Sequence, residues 1–180
     1  IAAVTSGGEL KRICEEHNYN HIIIPGGNPP RTCLGYSLTE QFFILIKYKI
    51  LPEAAVEELK SAIQLLKVNE SSIIEEAKTL ADNLFGKLPV IYSTDKFEPV
   101  SIRFRQQLNE NSKELCWHQK FPEMNHNEIV GWASGNSNLS VVMFRNHDDY
   151  YRTQERMEFM KKVILDKGST VTEIKSKGNS

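Results

Sequence analysis

Leu88-Pro89-Val90-Ile91-Tyr92 is a short apolar run typical of a buried strand, and the sequence after it predicts an amphipathic helix from about Phe97 to Lys113. The same alternation occurs at the start of the chain. Residues Ile1 to Thr5 predict a strand, about Glu9 to His17 a helix, and His21 to Ile24 a second strand. In this helix Leu10, Ile13 and Cys14 form an apolar stripe that is expected to face the sheet. This rhythm is typical of parallel α/β sheets flanked by helices in three layers, and not of β-sandwiches or helical bundles. We therefore predict an α/β fold.

Further elements are predicted after Lys113. Strands are expected at residues 115–117, 138–144 and 170–174, and a helix at about 150–167. In that helix Met157, Met160 and Ile164 share one face. The second half of the chain therefore repeats the α/β pattern of the first.

The middle of the chain separates these two α/β halves. Two apolar seams are expected on helices, one of Val56, Leu59, Ile63 and Leu66 and the other of Ile73, Ala77, Leu80 and Leu84. The polar residues Asn69-Glu70-Ser71-Ser72 lie between the seams and suggest a turn, so we predict an antiparallel helical hairpin. The predicted domains are residues 1–86, which include the hairpin, and residues 87–180, with the boundary near Gly86.

Composition excludes several classes of protein. The chain has 180 residues, of which 40% are hydrophobic and 25% charged, so it is neither disordered nor fibrous. Its net charge of −1 and pI near 6.6 lack the strong positive charge of a general nucleic-acid binder. We expect no nucleic-acid partner.

Cysteine usage and apolar run length bear on location. Cys14, Cys33 and Cys116 are an odd number of cysteines and show no CxxC or Cys/His ligand spacing. This pattern favours a reducing compartment, the cytoplasm, and argues against a zinc site. The apolar run 42–46 is far shorter than the ~20 residues that span a bilayer, so no membrane segment is expected. The chain begins at Ile1 and not at Met, so we treat it as a fragment of a longer protein.

Loops after strands are the places where open parallel sheets bind ligands. After the first strand, Thr5-Ser6-Gly7-Gly8 leads into a helix whose backbone N–H groups suit a phosphate, and Ser6 is a candidate binding residue. Ordinary helix capping is the alternative for this loop. After the second strand, the rigid loop Pro25 to Arg31 delivers a guanidinium, which suits an enediolate or phosphate oxygen. A solvated arginine at a helix start is the alternative there.

Asn109-Glu110-Asn111 is predicted in the last turns of the helix that follows Phe97. A carboxylate there opposes the negative end of the helix macrodipole, which suggests that something other than helix stability requires it. Glu110 shares a polar face with Arg103 and Gln107, and this face is suited to a sugar. A solvated surface carboxylate is the alternative.

Asn125 and Glu128 have the spacing of a capping box, which places His126 in the first turn of a short helix. The positive end of that helix disfavours imidazolium, and a neutral imidazole is suited to general acid/base catalysis. A histidine that only hydrogen-bonds within a loop is the alternative.

Three ordered motifs resemble the bifunctional phosphoglucose/phosphomannose isomerase family. They are Pro25-Gly26-Gly27-Asn28-Pro29-Pro30-Arg31 with Leu34-Gly35-Tyr36, then Gln107 to Lys113, then Pro122 to Trp132. The resemblance covers nearly the whole chain. It implies two sugar isomerase (SIS) domains, and reversible conversion of glucose 6-phosphate, and often mannose 6-phosphate, to fructose 6-phosphate without metal or organic cofactor.

The resemblance also implies roles for residues of the motifs. Glu110 corresponds to the base that moves a proton between C1 and C2, His126 to the ring-opening residue, and Arg31 to the cation that stabilises the cis-enediolate. Pro30, Asn109 and Asn125 are expected to bind substrate. In the family the histidine enters from the neighbouring subunit, so a homodimer with a shared site is implied.

Parts of the family pattern are absent from this sequence. The family binds phosphate mainly through loops that precede the strand with which this chain begins, and it carries a lysine on a C-terminal helix. We therefore expect the 180-residue chain by itself to isomerise fructose 6-phosphate poorly or not at all. Full-rate turnover by the isolated chain, measured in a coupled assay, would refute this expectation.

Two alternatives to a catalytic subunit remain. One is a regulatory SIS module that binds a phosphosugar without turnover, for which the pair Glu110 and His126 is not needed. The other is a degenerate subunit whose apolar helix around Phe42 to Ile46 serves only assembly.

Overall fold

The structure, a computed structural model, describes residues 1–178. It divides into two compact units, Ile1–Lys67 and Val68–Ser180. This division falls inside a helix, upstream of the boundary predicted near Gly86.

Six strands and six helices are described, together with short 3₁₀ turns. The strands are β1 Ala2–Thr5, β2 Asn20–Ile23, β3 Leu88–Thr94, β4 Trp117–Phe121, β5 Leu139–Arg145 and β6 Thr170–Lys175. The helices are α1 Gly8–Glu16, α2 Leu34–Lys47, α3 Ala55–Leu84, α4 Glu98–Gln107, α5 Glu128–Gly131 and α6 Tyr151–Asp166. The predicted alternation of strands and helices is confirmed, although β4 begins at Trp117, where the predicted strand was to end.

The first unit contains a parallel pair of strands, β1 and β2, in which Ala2 is opposite Asn20. Cys14 of α1 is buried, as its place in the apolar stripe predicts. Leu10 is 48% exposed, so the expectation that it faces the sheet is wrong. One turn of α1 therefore contributes little to the core of this unit.

The second unit is built on a four-stranded parallel sheet in the order β4-β3-β5-β6. Successive residues of a strand point to opposite faces. On one face Val90, Tyr92 and Met143 pack with Met157, Met160 and Ile164 of α6, and on the other Ile91 and Val142 pack with Leu80 of α3 and Phe104 of α4. Helices thus cover both faces, and the predicted three-layer αβα arrangement is present in this unit.

The predicted helical hairpin is wrong, because α3 runs unbroken from Ala55 to Leu84. The segment 69–72 contains neither glycine nor proline, and each Asn or Ser costs only about 0.5 kcal/mol in a helix. Ser72 donates its hydroxyl proton to the carbonyl oxygen of Asn69 at 3.0 Å, so its side chain bonds back to the helix. The polar run is a largely exposed stretch of one helix and not a turn.

Within residues 1–178, no helix combines the length and the apolar character needed to cross a membrane.

Candidate functional site

Glu110 lies in a π-helical turn, Leu108–Ser112, and not in a regular α-helix as predicted. The turn widens the end of α4 and is closed by Lys113, whose backbone is left-handed with φ 62°. The Lys113 ammonium donates to the backbone carbonyl of Glu110. A π-helical turn has more residues per turn than an α-helix, so the α-helical spacing used for the prediction does not apply at Glu110. The prediction that Arg103, Gln107 and Glu110 share one face therefore loses its basis.

The carboxylate of Glu110 is exposed, and within residues 1–178 it forms no hydrogen bond or ion pair. Its neighbour Asn109 differs in this respect. The amide nitrogen of Asn109 donates to the carbonyl oxygen of Glu114 at 2.6 Å and lies 3.6 Å from the sulfur of Cys116. Asn109 therefore fastens the turn to the segment that leads into β4, while Glu110 remains directed to solvent.

His126 follows the carboxyl end of β4, after a 3₁₀ turn at Glu123–Asn125. Its backbone N–H donates to the carbonyl oxygen of Glu123 at 2.9 Å. The residue is exposed, and no hydrogen bond or ion pair of its ring is present in the described part of the chain. The imidazole is thus available to a ligand from outside the unit.

The predicted capping box is wrong in its residues. Asn127, not Asn125, caps α5, and its side-chain oxygen accepts the N–H of Glu128 at 2.6 Å. His126 therefore precedes α5, so the argument from a first-turn position does not apply. The 3₁₀ turn is the physical reason, because it uses Asn125 and leaves Asn127 next to the helix. The side-chain oxygen of Asn125 is buried without a hydrogen-bond partner among the described residues.

Glu110 and His126 lie on segments attached to opposite ends of β4. The turn that carries Glu110 leads to Trp117 at the amino end, and His126 comes after Phe121 at the carboxyl end. A five-residue strand is about 16 Å long. No hydrogen bond or ion pair joins the two side chains within residues 1–178.

Sequence reasoning missed a polar cluster next to α5, formed by Tyr92, Trp117, Glu128 and Trp132. Tyr92 is buried on β3, and its hydroxyl donates to Glu128 Oε2 at 2.5 Å and accepts from Trp132 Nε1 at 3.1 Å. Trp117 Nε1 donates to the same carboxylate oxygen at 3.4 Å. Burial, and then the hydrogen bond to Glu128, raises the pKa of Tyr92 well above its ordinary range. The signal available in the sequence was a tyrosine inside an apolar strand, since a buried hydroxyl needs a partner.

These four side chains line a cleft of about 440 Å³. Its other walls include Gly131, Asn136 and Leu139. None of the site residues predicted from the sequence lines it, so the cleft is a feature separate from the predicted catalytic residues.

Ser6, Pro30 and Arg31 belong to the first unit. Gly26 lies beside Ser6, because a Cβ on Gly26 would be 3.7 Å from the Ser6 carbonyl oxygen. The two predicted loops therefore start side by side at the carboxyl ends of β1 and β2. Ser6 is exposed, and Gly7, at the N-cap of α1, offers no side-chain acceptor to the first turn. Pro30 and Arg31 form a 3₁₀ turn, Pro30–Thr32, in which Arg31 is half-buried.

No group of three or more histidine, cysteine, aspartate or glutamate side chains is placed to hold a metal ion within residues 1–178.

Two solved structures share the fold of this chain. Glucosamine-6-phosphate deaminase from Thermotoga maritima superimposes with a TM-score of 0.65 and 15% identity, over 96% of this chain and 51% of that one. The C-terminal domain of glucosamine-fructose-6-phosphate aminotransferase from Francisella tularensis gives a TM-score of 0.63 and 14% identity, over 98% and 58%. At these identities the likeness shows the fold class alone, a parallel α/β protein.

A model of the family described as "Bacterial phospho-glucose isomerase C-terminal SIS domain" matches residues 73–180. The chain therefore belongs to this family. The resemblance inferred from the three motifs is confirmed.

Curated relatives extend the match over the whole chain. Bifunctional phosphoglucose/phosphomannose isomerases of Aquifex aeolicus and Caldicellulosiruptor bescii are 32% and 34% identical over 98% and 100% of this chain, and over 54% and 56% of their own length. D-glucosamine-6-phosphate 4-epimerase of Sulfolobus acidocaldarius is 33% identical over 79% of this chain and 46% of its own length. The chain spans about half the length of the relatives it matches.

Proposed function

We propose that the intact protein carrying this chain is an aldose–ketose isomerase that interconverts glucose 6-phosphate, and mannose 6-phosphate, with fructose 6-phosphate through a cis-enediolate. The observation that carries the proposal is an exposed carboxylate and an exposed imidazole, both without partners in residues 1–178, within motifs of an isomerase family. Two free acid/base groups are what this reaction needs.

The proposed mechanism assigns one proton transfer to each group. His126 moves a proton between the ring oxygen and the C1 hydroxyl and so opens the sugar. Glu110 then removes the proton from C2 and returns it at C1. Negative charge develops on the enediolate oxygen, where the guanidinium of Arg31 supplies about 3 kcal/mol of stabilisation. Ser6, Pro30, Asn109 and Asn125 are the proposed substrate-binding residues, and no cofactor takes part.

We place His126 in the site of the neighbouring subunit of a homodimer. The attachment of Glu110 and His126 to opposite ends of β4 supports this arrangement, because the partner's histidine then has to complete the site. A cytoplasmic location completes the proposal, since phosphorylated hexoses are charged metabolites that do not cross membranes unaided.

Incubation of the intact protein with fructose 6-phosphate in D2O tests the function. We expect deuterium at C1 of fructose 6-phosphate and at C2 of the aldose, detected by NMR. Binding without label would favour the regulatory SIS module.

The Sulfolobus relative gives a second candidate, a 4-epimerase of an amino sugar phosphate. Conversion of glucosamine 6-phosphate with a change at C4 and no isomerisation would favour that activity.

Replacing His126 by Ala should spare open-chain substrate more than cyclic substrate. The imidazole is proposed to act only before enolisation, so we expect kcat on cyclic sugar to fall about 10²-fold or more. Stopped-flow kinetics that separate the ring-opening step from isotope exchange provide the measurement. Equal losses on the open and cyclic forms would argue against the role, and His147→Ala, at another exposed histidine, is the control.

A further inference from the structure

The carboxylate of Glu128 is held from two neighbouring strands. Tyr92 on β3 donates to Oε2 at 2.5 Å, and Trp117 on β4 donates to the same oxygen at 3.4 Å. Trp117 is opposite Val90 in the sheet, and Val90 lies two residues before Tyr92, so both donors are on the same face. The carboxylate is therefore fixed relative to strands β3 and β4.

Tyr92 is a rigid donor. It is fully buried, and its hydroxyl oxygen also accepts the N–H of the buried Trp132 at 3.1 Å. A buried hydroxyl that lost its acceptor would be costly, so Tyr92 keeps its bond to Glu128. The hydrogen bond that holds the Glu128 carboxylate thus comes from the core of the second unit and not from a surface contact.

Glu128 is the first residue of α5, and hydrogen bonds connect the preceding backbone segment to this end of the helix. Asn127 accepts the N–H of Glu128 at 2.6 Å and donates to Glu123 Oε1 at 3.2 Å, while the N–H of His126 donates to the carbonyl oxygen of Glu123 at 2.9 Å. The backbone of His126 is therefore held on both sides, although its ring is exposed and without a partner in residues 1–178. This combination suits an imidazole that must meet a ligand at a fixed place.

We infer that Glu128 is a positioning residue, whose carboxylate, held by Tyr92 and Trp117, fixes the backbone that presents His126. The inference rests on the proposed function for its consequence in catalysis. A displacement of about 1 Å in a reacting group is enough to cost about 10²-fold in rate. Glu128 acts through His126 and does not itself touch the substrate.

The test compares Glu128→Ala with Glu128→Gln in the intact protein. The side-chain carbonyl of Gln still accepts from Tyr92 and Trp117, whereas Ala removes the acceptor. For Glu128→Ala we expect amide hydrogen exchange at residues 123–127 to accelerate about 10-fold or more, with amides of β3 and β5 unchanged. We expect kcat on cyclic sugar phosphate to fall by at least about 10-fold with KM within about 2-fold. Glu128→Gln should stay within about 3-fold of the unmodified protein in both measurements.

Each result decides the inference. Unchanged exchange at residues 123–127 in Glu128→Ala would overturn it, and so would an equal loss of kcat in Glu128→Gln, which would assign the charge itself to catalysis. Trp117→Phe removes only one donor at a partly exposed position and should raise exchange in the same segment if Glu128→Ala does not fold. If the intact protein lacks isomerase activity, the proposed function fails, but the exchange measurement still decides whether Glu128 positions the segment. Glu155→Ala, at an exposed position of α6, is the matched control.

Discussion

Replacing Glu110 by Gln in the intact protein is expected to lower kcat by at least about 10²-fold, with little change in KM for fructose 6-phosphate. The amide keeps the shape and hydrogen-bonding reach of the carboxylate but cannot take a proton from carbon. Because the Glu110 side chain is exposed and has no partner within residues 1–178, the change should not disturb folding. Steady-state kinetics and deuterium incorporation in D2O should fall together.

Glu114→Gln is the matched control for this substitution. Glu114 is also exposed and lies just beyond the same π-helical turn, so it tests whether removing a charge there is sufficient to reduce activity. We expect kcat for this control within about 2-fold of the unmodified protein. A near-normal kcat in Glu110→Gln would remove Glu110 from the mechanism.

Replacing Glu173 by Gln should lower the free energy of unfolding of the chain by about 3 kcal/mol at pH 7. Glu173 on β6 accepts from Arg145 at 2.6 Å and from Lys161 at 2.5 Å, and Arg145 also pairs with Glu158. The Glu173 and Arg145 side chains are only 15% and 11% exposed. Loss of the carboxylate leaves the Arg145 guanidinium without its buried partner, which is why the cost exceeds that of a surface ion pair.

The pH dependence of this effect follows from the pKa of Glu173. Burial by itself would raise that pKa, but the bonds to Lys161 and Arg145 outweigh burial and lower it from its ordinary value of 4.5. A lowered pKa in the folded state stabilises the fold fully above pH 4.5, and the contribution is lost as the pH falls through the lowered value. The difference between Glu173→Gln and the unmodified chain should therefore be constant at neutral pH and shrink in acid.

Urea unfolding followed by circular dichroism at several pH values between about 3 and 7 measures this difference. Glu155→Gln, on the exposed side of α6, should change the free energy of unfolding by less than about 0.5 kcal/mol and serves as the control. A difference for Glu173→Gln that stays the same in acid would show that the ion pairs are not its cause.

Buried apolar periodicity predicted the framework well. Met157, Met160 and Ile164 were placed on one face of a helix, and all three are fully buried against the sheet. The apolar runs predicted five of the six described strands to within about two residues at each end, whereas β4 shares only Trp117 with its predicted strand. The pattern failed at residues 69–72, because an exposed polar stretch of a long helix and a turn without Gly or Pro have the same composition.

The candidate site was harder to predict from the sequence than the fold. The face of the helix on which Glu110 lies depends on a π-helical turn, which the apolar periodicity of the sequence does not predict. Similarly, the helix cap is Asn127 and not Asn125 because a 3₁₀ turn precedes it. The bond between Tyr92 and Glu128 joins residues 36 positions apart, so only the tertiary fold brings them together. The roles of Glu110, His126 and Arg31 came from family motifs, and they stay predictions.

The strand order of the second unit also bears on its behaviour at high concentration. The two outer strands of the described sheet contain lysines, Lys120 in β4 and Lys175 in β6, whereas the inner strand β3 has no charged residue and β5 has only Arg145 at its end. Lysines on an outer strand discourage another chain from adding its own strand there. The apolar sequences most prone to form amyloid-like stacks are thereby enclosed between strands that resist further growth of the sheet.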